Sequence, residues 1–465
     1  MARQPATRLQ LSAQRFHVRR MMHALVRRDV AMHDDPLRAQ SLSFAVGGVL
    51  AALAVAAAAV VGLLRPQGVS DSALIVIGRD TGALYVRVDD TLHPVLNLAS
   101  ARLVTRSAAN PVAAAEVAIA GAKRGPSMGI PGAPAVIGQR VQDNSWTVCD
   151  DDRTIVAVGD QDLDSSGSAR PVLVTPRGES AATTYLLYDG QRAAVDLRNV
   201  AVVRALRLDG VVPVPVSRTL LDAVPEVPAI APPGIVGAGG PGPPALEGVT
   251  IGAVVLVQRA DVAEHYVVLR DGLQLVGEVA ADLIRFTYDG HARPVPTIAP
   301  AAVTALPVSA GLSVGTFPQH AHKPIGVADG GAVCAQWRPG GSSGTPSKTT
   351  IWVGDSPYRN STGVITLAQA DGAGPNVDAV VVAAGRTAYV RSSRLVGDTG
   401  ATGALFLITD TGVAFGVHDE EDASFLGLGP SPDAAPWPIL AHLPRGPELS
   451  SEAASVVRDG LASPS

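Results

Sequence analysis

Charge is scarce in this chain and aromatic rings are scarcer. Asp, Glu, Lys and Arg make up 17% of the 465 residues, and Phe, Trp and Tyr 4%. Globular chains usually carry about 25% charged residues. The net charge is −5 at pH 7, so no basic excess argues for nucleic-acid binding. Cysteine is nearly missing: Cys149 and Cys334 are the only two. Neither has histidines at ligand spacing, which makes a poor zinc site, and the ten histidines contain no H-E-x-x-H. One segment has no charge at all, the 26 residues from Ala39 to Leu64, bounded by Arg38 and Arg65.

That segment is mostly Ala, Val, Leu and Gly. A bilayer core about 30 Å thick is spanned by about 20 apolar helical residues, so the segment is expected to cross a membrane once. The twenty residues before it hold Arg19, Arg20, Arg27, Arg28 and Arg38, whereas the twenty after it hold only Arg65 and Arg79. Basic flanks stay in the cytoplasm, so the large C-terminal part is expected to be exported. A cleaved signal peptide is the rival reading, given the A-x-A sites between Val55 and Val60. Its h-region would be only about 7–15 residues after a short n-region, and neither feature is found here. Both cysteines then lie in an oxidising compartment, where pairing is expected. Their contexts mirror one another, Trp146-Thr-Val-Cys149 against Cys334-Ala-Gln-Trp337.

Residues 1–38 carry eight Arg against three Asp. Within them Phe16, Val18, Met22, Leu25 and Val26 fall near helical spacing between Arg15, Arg19, Arg20, Arg27 and Arg28. A basic amphipathic arm of this kind suits contact with anionic lipid or with a cytoplasmic partner. Past the span, four segments repeat an aromatic-led apolar run, an Asp-Gly-like turn and a second apolar run. Their anchors are Tyr85, Tyr185, Tyr266 and Phe406. The pattern is that of a β-hairpin. Three of the four continue into possible helices, Leu98 to Val104, Asp196 to Leu206 and Glu278 to Ile284. The spacing of the anchors is uneven, which excludes a solenoid of fixed period.

The expected fold is therefore a single-pass membrane protein with a β-rich α+β exported domain. Four small repeat modules would surround a central β core with pseudo-two-fold symmetry. The boundaries read as an arm (1–38), a transmembrane helix (41–64) and a first module (70–122), followed by the first part of the core (123–180). A second module (181–222), a Pro/Gly linker (223–248) and a third module (249–300) come next. The second part of the core (301–385), a fourth module (386–430) and an extended Pro-rich tail (431–465) complete the chain. The order of cysteines and modules suggests two halves, each running module, core, module.

Motifs of catalysis fail on their context. Gly125-Pro-Ser127-Met-Gly129 matches G-x-S-x-G, yet Pro131 and Pro134 follow where a nucleophile elbow needs a helix. Asp160-Gln-Asp162-Leu-Asp164 starts like a calcium loop but has Ser165 and Pro171 where Gly and Glu belong. The run Asp150-Asp151-Asp152 likewise reads as a solvated acidic loop. Gly341-Ser-Ser-Gly344-Thr-Pro-Ser-Lys348-Thr349 departs from the P-loop, with Ser347 before the lysine and Pro346 inside the loop. No catalytic residue, metal or cofactor is expected.

Several segments are specific enough to carry a resemblance. They are Arg27-Arg28-Asp29-Val-Ala-Met-His-Asp34-Asp35-Pro36-Leu37, Arg65-Pro66-Gln67-Gly68 and Leu92-His93-Pro94-Val95-Leu-Asn97-Leu98. Met128-Gly129-Ile130-Pro131-Gly132-Ala133-Pro134, Trp146-Thr147-Val-Cys149-Asp150 and Leu443-Pro444-Arg-Gly446-Pro447-Glu-Leu449-Ser450 extend the match over nearly the whole chain. The chain resembles the ESX conserved component B (EccB) of mycobacterial type VII secretion systems. The resemblance implies a subunit of an inner-membrane secretion complex with EccC, EccD, EccE and the mycosin protease as partners, self-associating in a hexameric assembly. It also implies repeat modules similar to a phage cell-wall-binding fold, hence contact with peptidoglycan or the outer envelope. Members of the family are described as ATPases. ATP enters only under that alternative, for which the sequence supplies no P-loop.

Overall fold

The computed structural model describes residues 7–28, 36–64, 72–159, 170–178, 183–259, 262–288, 294–340, 345–359, 361, 363–397 and 403–459. The calcium-like loop at 160–167 lies outside them. The chain divides into two compact units, Met1–Gly68 and Val69–Ser465.

The first unit is helical. Helix α1 spans Arg8–Arg27 and ends where Arg28 turns left-handed (φ 56°) and donates its N–H to the Ala24 carbonyl. Leu11, Val18, Met22 and Leu25 are all exposed on it, 47%, 48%, 58% and 82% respectively. Helix α2 spans Pro36–Leu64. Pro36 falls in its first turn, where a missing N–H costs nothing. Among the described residues it holds the one stretch long and apolar enough to cross a membrane, Gln40–Val61, with mean hydropathy 2.5.

The second unit holds five sheets among its described residues. The central one has the order Lys348–Gly354, Ala332–Arg338, Trp146–Asp150, Thr154–Val158, Ala379–Val381, Val364–Thr366. Every residue of Trp146–Asp150 and Thr154–Val158 is buried, so both faces of these two strands are covered.

Four further sheets are present among the described residues. In the first, Ile75–Gly78, Leu84–Val88 and Thr91–Val95 run antiparallel, followed by α3 (Leu98–Thr105). Val112–Ala114 then pairs parallel with the opening strand and leads into α4 (Glu116–Ala120). In the second, Val172–Pro176, Thr184–Tyr188 and Gln191–Val195 are followed by α5 (Val200–Ala205). Val214–Val216 returns parallel to the opening strand before α6 (Arg218–Asp222). In the third, Val254–Arg259, Val262–Leu269 and Gly272–Val276 precede α7 (Glu278–Tyr288), a parallel Thr297–Ile298 and α8 (Pro300–Thr304). In the fourth, Arg386–Ser393, Leu405–Ile408 and Ala414–Val417 precede α9 (Glu420–Leu426), a parallel Asp433–Pro436 and α10 (Trp437–Leu440).

Local chemistry explains these elements. Asp189 (φ 48°) and Gly190 (φ 75°) take the two left-handed positions of the second hairpin turn. A Cβ on Gly190 would also overlap the Thr349 carbonyl, because this turn abuts the central sheet. Helices α3, α5 and α9 start on Asn97, Asn199 and Asp419, whose side chains accept N–H groups from Ser100, Ala201 and Asp422 at 2.8, 3.0 and 2.8 Å.

Each outer sheet has two apolar faces. The helix face of the second packs on that of the third, joining Val202 and Ala205 of α5 to Val279, Leu283 and Ile284 of α7 in one core. The helix faces of the first and fourth meet likewise, Ala99 and Leu103 against Leu407, Ala423 and Leu426. Arg102 of α3 ties this junction by donating to the Leu426 carbonyl at 2.7 Å, and burial holds its pKa below the ordinary value. The opposite faces of the second and fourth sheets rest on the central sheet.

Several boundaries differ from the sequence reading. Helix faces pair the second sheet with the third and the fourth with the first. Val172–Pro176, placed in the core, belongs to the second sheet, and Ser127–Met128 joins the first. The linker at 223–248 contains an edge strand, Glu226–Ile230, parallel to Gln191–Val195. Its Pro228 is tolerated because an edge strand leaves one side unpaired. The segment from 431 is no extended tail through its described part. It contributes Asp433–Pro436, α10 and α11 (Ser451–Ala454), then Val457–Arg458, which closes the edge of the first sheet. Buried Leu440, Leu443, Leu449 and Ala454 hold it down.

Candidate functional site

The two cysteines meet within the central sheet. Cys149 and Cys334 sit directly opposite each other on adjacent antiparallel strands and form a disulfide. The same register sets Trp146 against Trp337. A spacing of three puts each tryptophan on the sheet face opposite its cysteine. The mirrored motif therefore places a disulfide on one face and a pair of buried indoles on the other. Around the disulfide lie Ile155, Ala157, Trp352, Tyr358, Ala379 and Val381. Burial drives the Tyr358 phenol far above its ordinary value of 10.0. The indoles instead join the core shared with the second and fourth sheets, donating to Asn144 Oδ1 at 3.1 Å and to the Leu395 carbonyl at 3.0 Å.

Asp150, read from sequence as part of a solvated acidic run, is only 3% exposed. The central sheet ends there against the second sheet. Its carboxylate pairs with Arg177 at 3.0 Å, accepts the Thr154 hydroxyl at 2.7 Å and accepts the N–H of Ser217, whose hydroxyl oxygen caps α6. Burial pushes the carboxyl up, and the Arg177 guanidinium pulls against that. Adjacency to Cys149 was the available signal, since a residue one step from a buried disulfide shares its strand.

The four ring anchors take corresponding places, each on the second strand of its sheet. Tyr85 and Tyr266 line the cores of the first and third sheets. Tyr185 and Phe406 face the central sheet. Each of these two carries a stacked arginine, Arg192 at 5.3 Å from the Tyr185 ring and Arg445 at 4.7 Å from Phe406. Arg192 is neutralised by Glu226 at 2.9 Å and Asp222 at 3.7 Å, and Asp222 also meets His442 at 3.2 Å. Between the second and third sheets Tyr188, pushed up to about 12 by burial, donates to the Thr316 carbonyl at 2.8 Å. The adjoining cleft of about 510 Å³ is lined by Arg170, Asp189, His320 and His322 among others. Arg15, Arg19, Arg20 and Arg27 all lie on α1, and Arg28 forms its C-cap.

Of the rejected motifs, residues 341–344 lie outside the described residues. Ser127 belongs to the two-residue strand Ser127–Met128, and Lys348 opens Lys348–Gly354 of the central sheet. A phosphate-cradling loop leads into a helix N-terminus, whereas Lys348 and Thr349 lie in a strand. Among the described residues no three His, Cys, Asp or Glu side chains converge as a metal site.

These features define a class: a β-rich domain closed by a buried disulfide, in a chain with one membrane-length helix. Comparison with known proteins narrows it. Residues 3–463 match the family model of the type VII secretion system ESX-1, transport TM domain B. The ESX-3 secretion system ATPase EccB3 of Mycolicibacterium smegmatis is 34% identical over 98% of this chain and 91% of its own length. The ESX-1 secretion system ATPase EccB1 of Mycobacterium tuberculosis is 32% identical over 98% and 95%. A chain of an intact ESX-5 inner membrane complex superimposes with a TM-score of 0.70 at 29% identity, covering 100% of this chain and 98% of that one. The EccB3 dimer from the ESX-3 core complex gives 0.68 at 32% identity, over 83% and 100%. The chain belongs to the EccB family and is a component of an ESX, or type VII, secretion system.

Proposed function

We propose that the chain is a structural subunit of an ESX inner-membrane secretion complex, joining membrane and cytoplasmic components to a periplasmic assembly. The family match along nearly the entire chain carries this reading, because it includes α1, the membrane-length helix and all five sheets together. In this reading α2 anchors the protein, α1 lies in the cytoplasm and residues 69–465 lie in the periplasm. The arginine excess before the span and a disulfide suited to an oxidising compartment both support that orientation. Single cysteines placed at Ser12 and at Val236, probed with an impermeant maleimide on intact cells, test it. Labelling at position 12 but not at 236 would reverse the orientation.

The four outer sheets are copies of one repeat module. Support comes from their common order, three antiparallel strands, a helix, a strand parallel to the first and a second short helix. The pairing of second with third and fourth with first about the central sheet supports a pseudo-two-fold axis. Related structures named for inner membrane complexes and for a dimer support self-association in a larger assembly. EccC, EccD, EccE and the mycosin protease are the partners, the assembly is hexameric, and the modules contact peptidoglycan or the outer envelope. The basic arm, with Arg15, Arg19, Arg20, Arg27 and Arg28, docks on lipid or a cytoplasmic partner. Affinity purification of the intact complex through this chain tests the membership: recovery without other membrane subunits would refute it. Failure of the full chain to sediment with purified cell wall would refute the envelope contact.

A second reading, ATP hydrolysis, is favoured by the names of the relatives. Turnover by the pure chain free of EccC, abolished by Lys348→Ala, would establish it against the structural role.

A further inference from the structure

Two arginines stack on corresponding rings, and only one of them is neutralised. Arg192 on Tyr185 is held by Asp222 and Glu226. Arg445 on Phe406 also stacks on Trp437, at 5.0 Å, and its one protein hydrogen bond is to the Leu440 carbonyl at 3.2 Å. Among the described residues no carboxylate lies within ion-pair distance of it. Trp437 beside it is 47% exposed, and the two rings lie 6.0 Å apart. A guanidinium resting against two rings, next to an open indole, is the composition of a binding hot spot. In a chain with this internal comparison, the missing element is an acid supplied from outside.

Arg445 lines a cleft of about 540 Å³ whose other wall is the acidic start of α9. Asp419 and Glu420 line it, and Glu421 follows them just outside it, exposed and with no side-chain partner among the described residues. Glu420 is paired with Arg391 at 2.5 Å, Glu448 with His418 at 3.2 Å, and Asp419 accepts the Asp422 N–H as the cap of α9, so among the described residues Glu421 is the carboxylate of the group without a partner. A module that carries one unpaired cation beside this cleft and one unpaired anion on the helix that forms its other wall is self-complementary, which is what a two-fold contact between identical chains requires.

We propose that the Arg445–Trp437 platform of the fourth sheet docks onto the first turn of α9 in a second copy of this chain, with Arg445 facing Glu421. The proposal rests on the reading of the protein as a self-associating subunit and names the surface used. Each copy contributes both halves, so two Arg445–Glu421 pairs flank the axis and the indole of Trp437 is covered.

The full chain in detergent micelles tests this by mass photometry across a dilution series. Arg445→Glu and Glu421→Arg are each expected to weaken self-association at least tenfold, and the double variant to restore it. Trp437→Ala is expected to weaken it similarly. Melting temperature and the intact disulfide verify that each variant is folded, and Arg445→Lys is expected to fall between wild type and Arg445→Glu. Unchanged self-association in folded Arg445→Glu would overturn the proposal while leaving self-association itself standing. Failure of the double variant to restore association would overturn it as well. Loss of other subunits from the purified complex with chain–chain association intact would assign the platform to a different protein and also overturn it. A wild-type chain monomeric at every concentration would instead sink the underlying reading.

Discussion

The two faces of the central sheet are made from the same pair of strands and are stabilised in different ways. One face carries Trp146 and Trp337, and its core continues into the second and fourth sheets through Leu187, Val390, Phe406 and Ile408. The other carries the disulfide and a small cluster of its own. On the indole face, long-range packing unites three sheets, so a loss there spreads. On the disulfide face a covalent link acts mainly on the unfolded chain, by shortening a loop of 185 residues. The sheet is thus held to its neighbours by packing and to itself by chemistry.

The comparison breaks most severely at the indoles. Trp337→Ala removes a fully buried ring whose N–H is bonded to Leu395. It is expected to cost about 3–5 kcal/mol, read as a lowered denaturant midpoint in the full chain. Loosening of the second and fourth sheets would show as faster hydrogen exchange in both. Exchange confined to the central sheet would mean that the indole face does not unite them.

Next in size is the buried pair on that same face. Arg177→Met strands the Asp150 carboxylate, and breaking a buried pair costs about 3–5 kcal/mol. Partial neutralisation of Asp150 by a proton places this below the tryptophan loss. Without Arg177 the Asp150 carboxyl rises further above its ordinary 3.8, already being raised by burial. A raised carboxyl takes up its proton more readily in the folded chain than in the unfolded one. Stability from that protonation is complete below the unfolded value and is lost as pH rises through the folded one. The variant should therefore be weakest near neutral pH and recover towards wild type on acidification. A pH-independent deficit would show that packing, not charge, dominates at Arg177.

The disulfide face should respond less in the folded state. Replacing both cysteines, Cys149→Ala with Cys334→Ala, is expected to cost about 2–4 kcal/mol. Hydrogen exchange in the second and fourth sheets should be changed only through that global loss. A selective loosening of those sheets would erase the distinction between the two faces.

How much of this could be read from the chain follows from how local each signal is. The mirrored W-x-x-C and C-x-x-W could be read because one strand register satisfies both residues of each motif. Tyr185 and its Asp189-Gly190 turn announced a hairpin because positive φ at two successive positions is a local demand. The parallel edge strands Glu226–Ile230 and Asp433–Pro436 carried no turn signal, and their prolines made them read as linker and tail. Helix α9 was missed because four acidic residues, Asp419 to Asp422, open it and look like a solvated loop. They are instead a capped, dipole-matched first turn. The pairing of α5 with α7 and of α3 with α9 depends on which faces are left apolar after each sheet folds. Nothing within either helix announces its partner. Asp150 failed for the same reason, since Arg177 and Ser217 come from a different sheet.

At the far end of the scale stands a pair with neither burial nor covalent closure. His418 at the end of Ala414–Val417 meets Glu448 at 3.2 Å on the surface. The Glu448 hydrogen bond, helped by the nearby Asp419 and Asp422 charges, holds the imidazole above its ordinary value of 6.5. A raised histidine favours folding fully below the unfolded value, and that contribution fades as pH rises through the folded one. Exposed pairs are screened by solvent and salt, so the effect on overall stability should be the smallest of the series. The titration itself is the sharper measurement. Glu448→Gln is expected to lower the His418 midpoint towards 6.5 in an NMR pH series while the Trp337 and Cys149 environments stay unchanged. An unchanged midpoint would assign the shift to the carboxylates at the start of α9. Those carboxylates would then set the local field at the cleft that Arg445 borders.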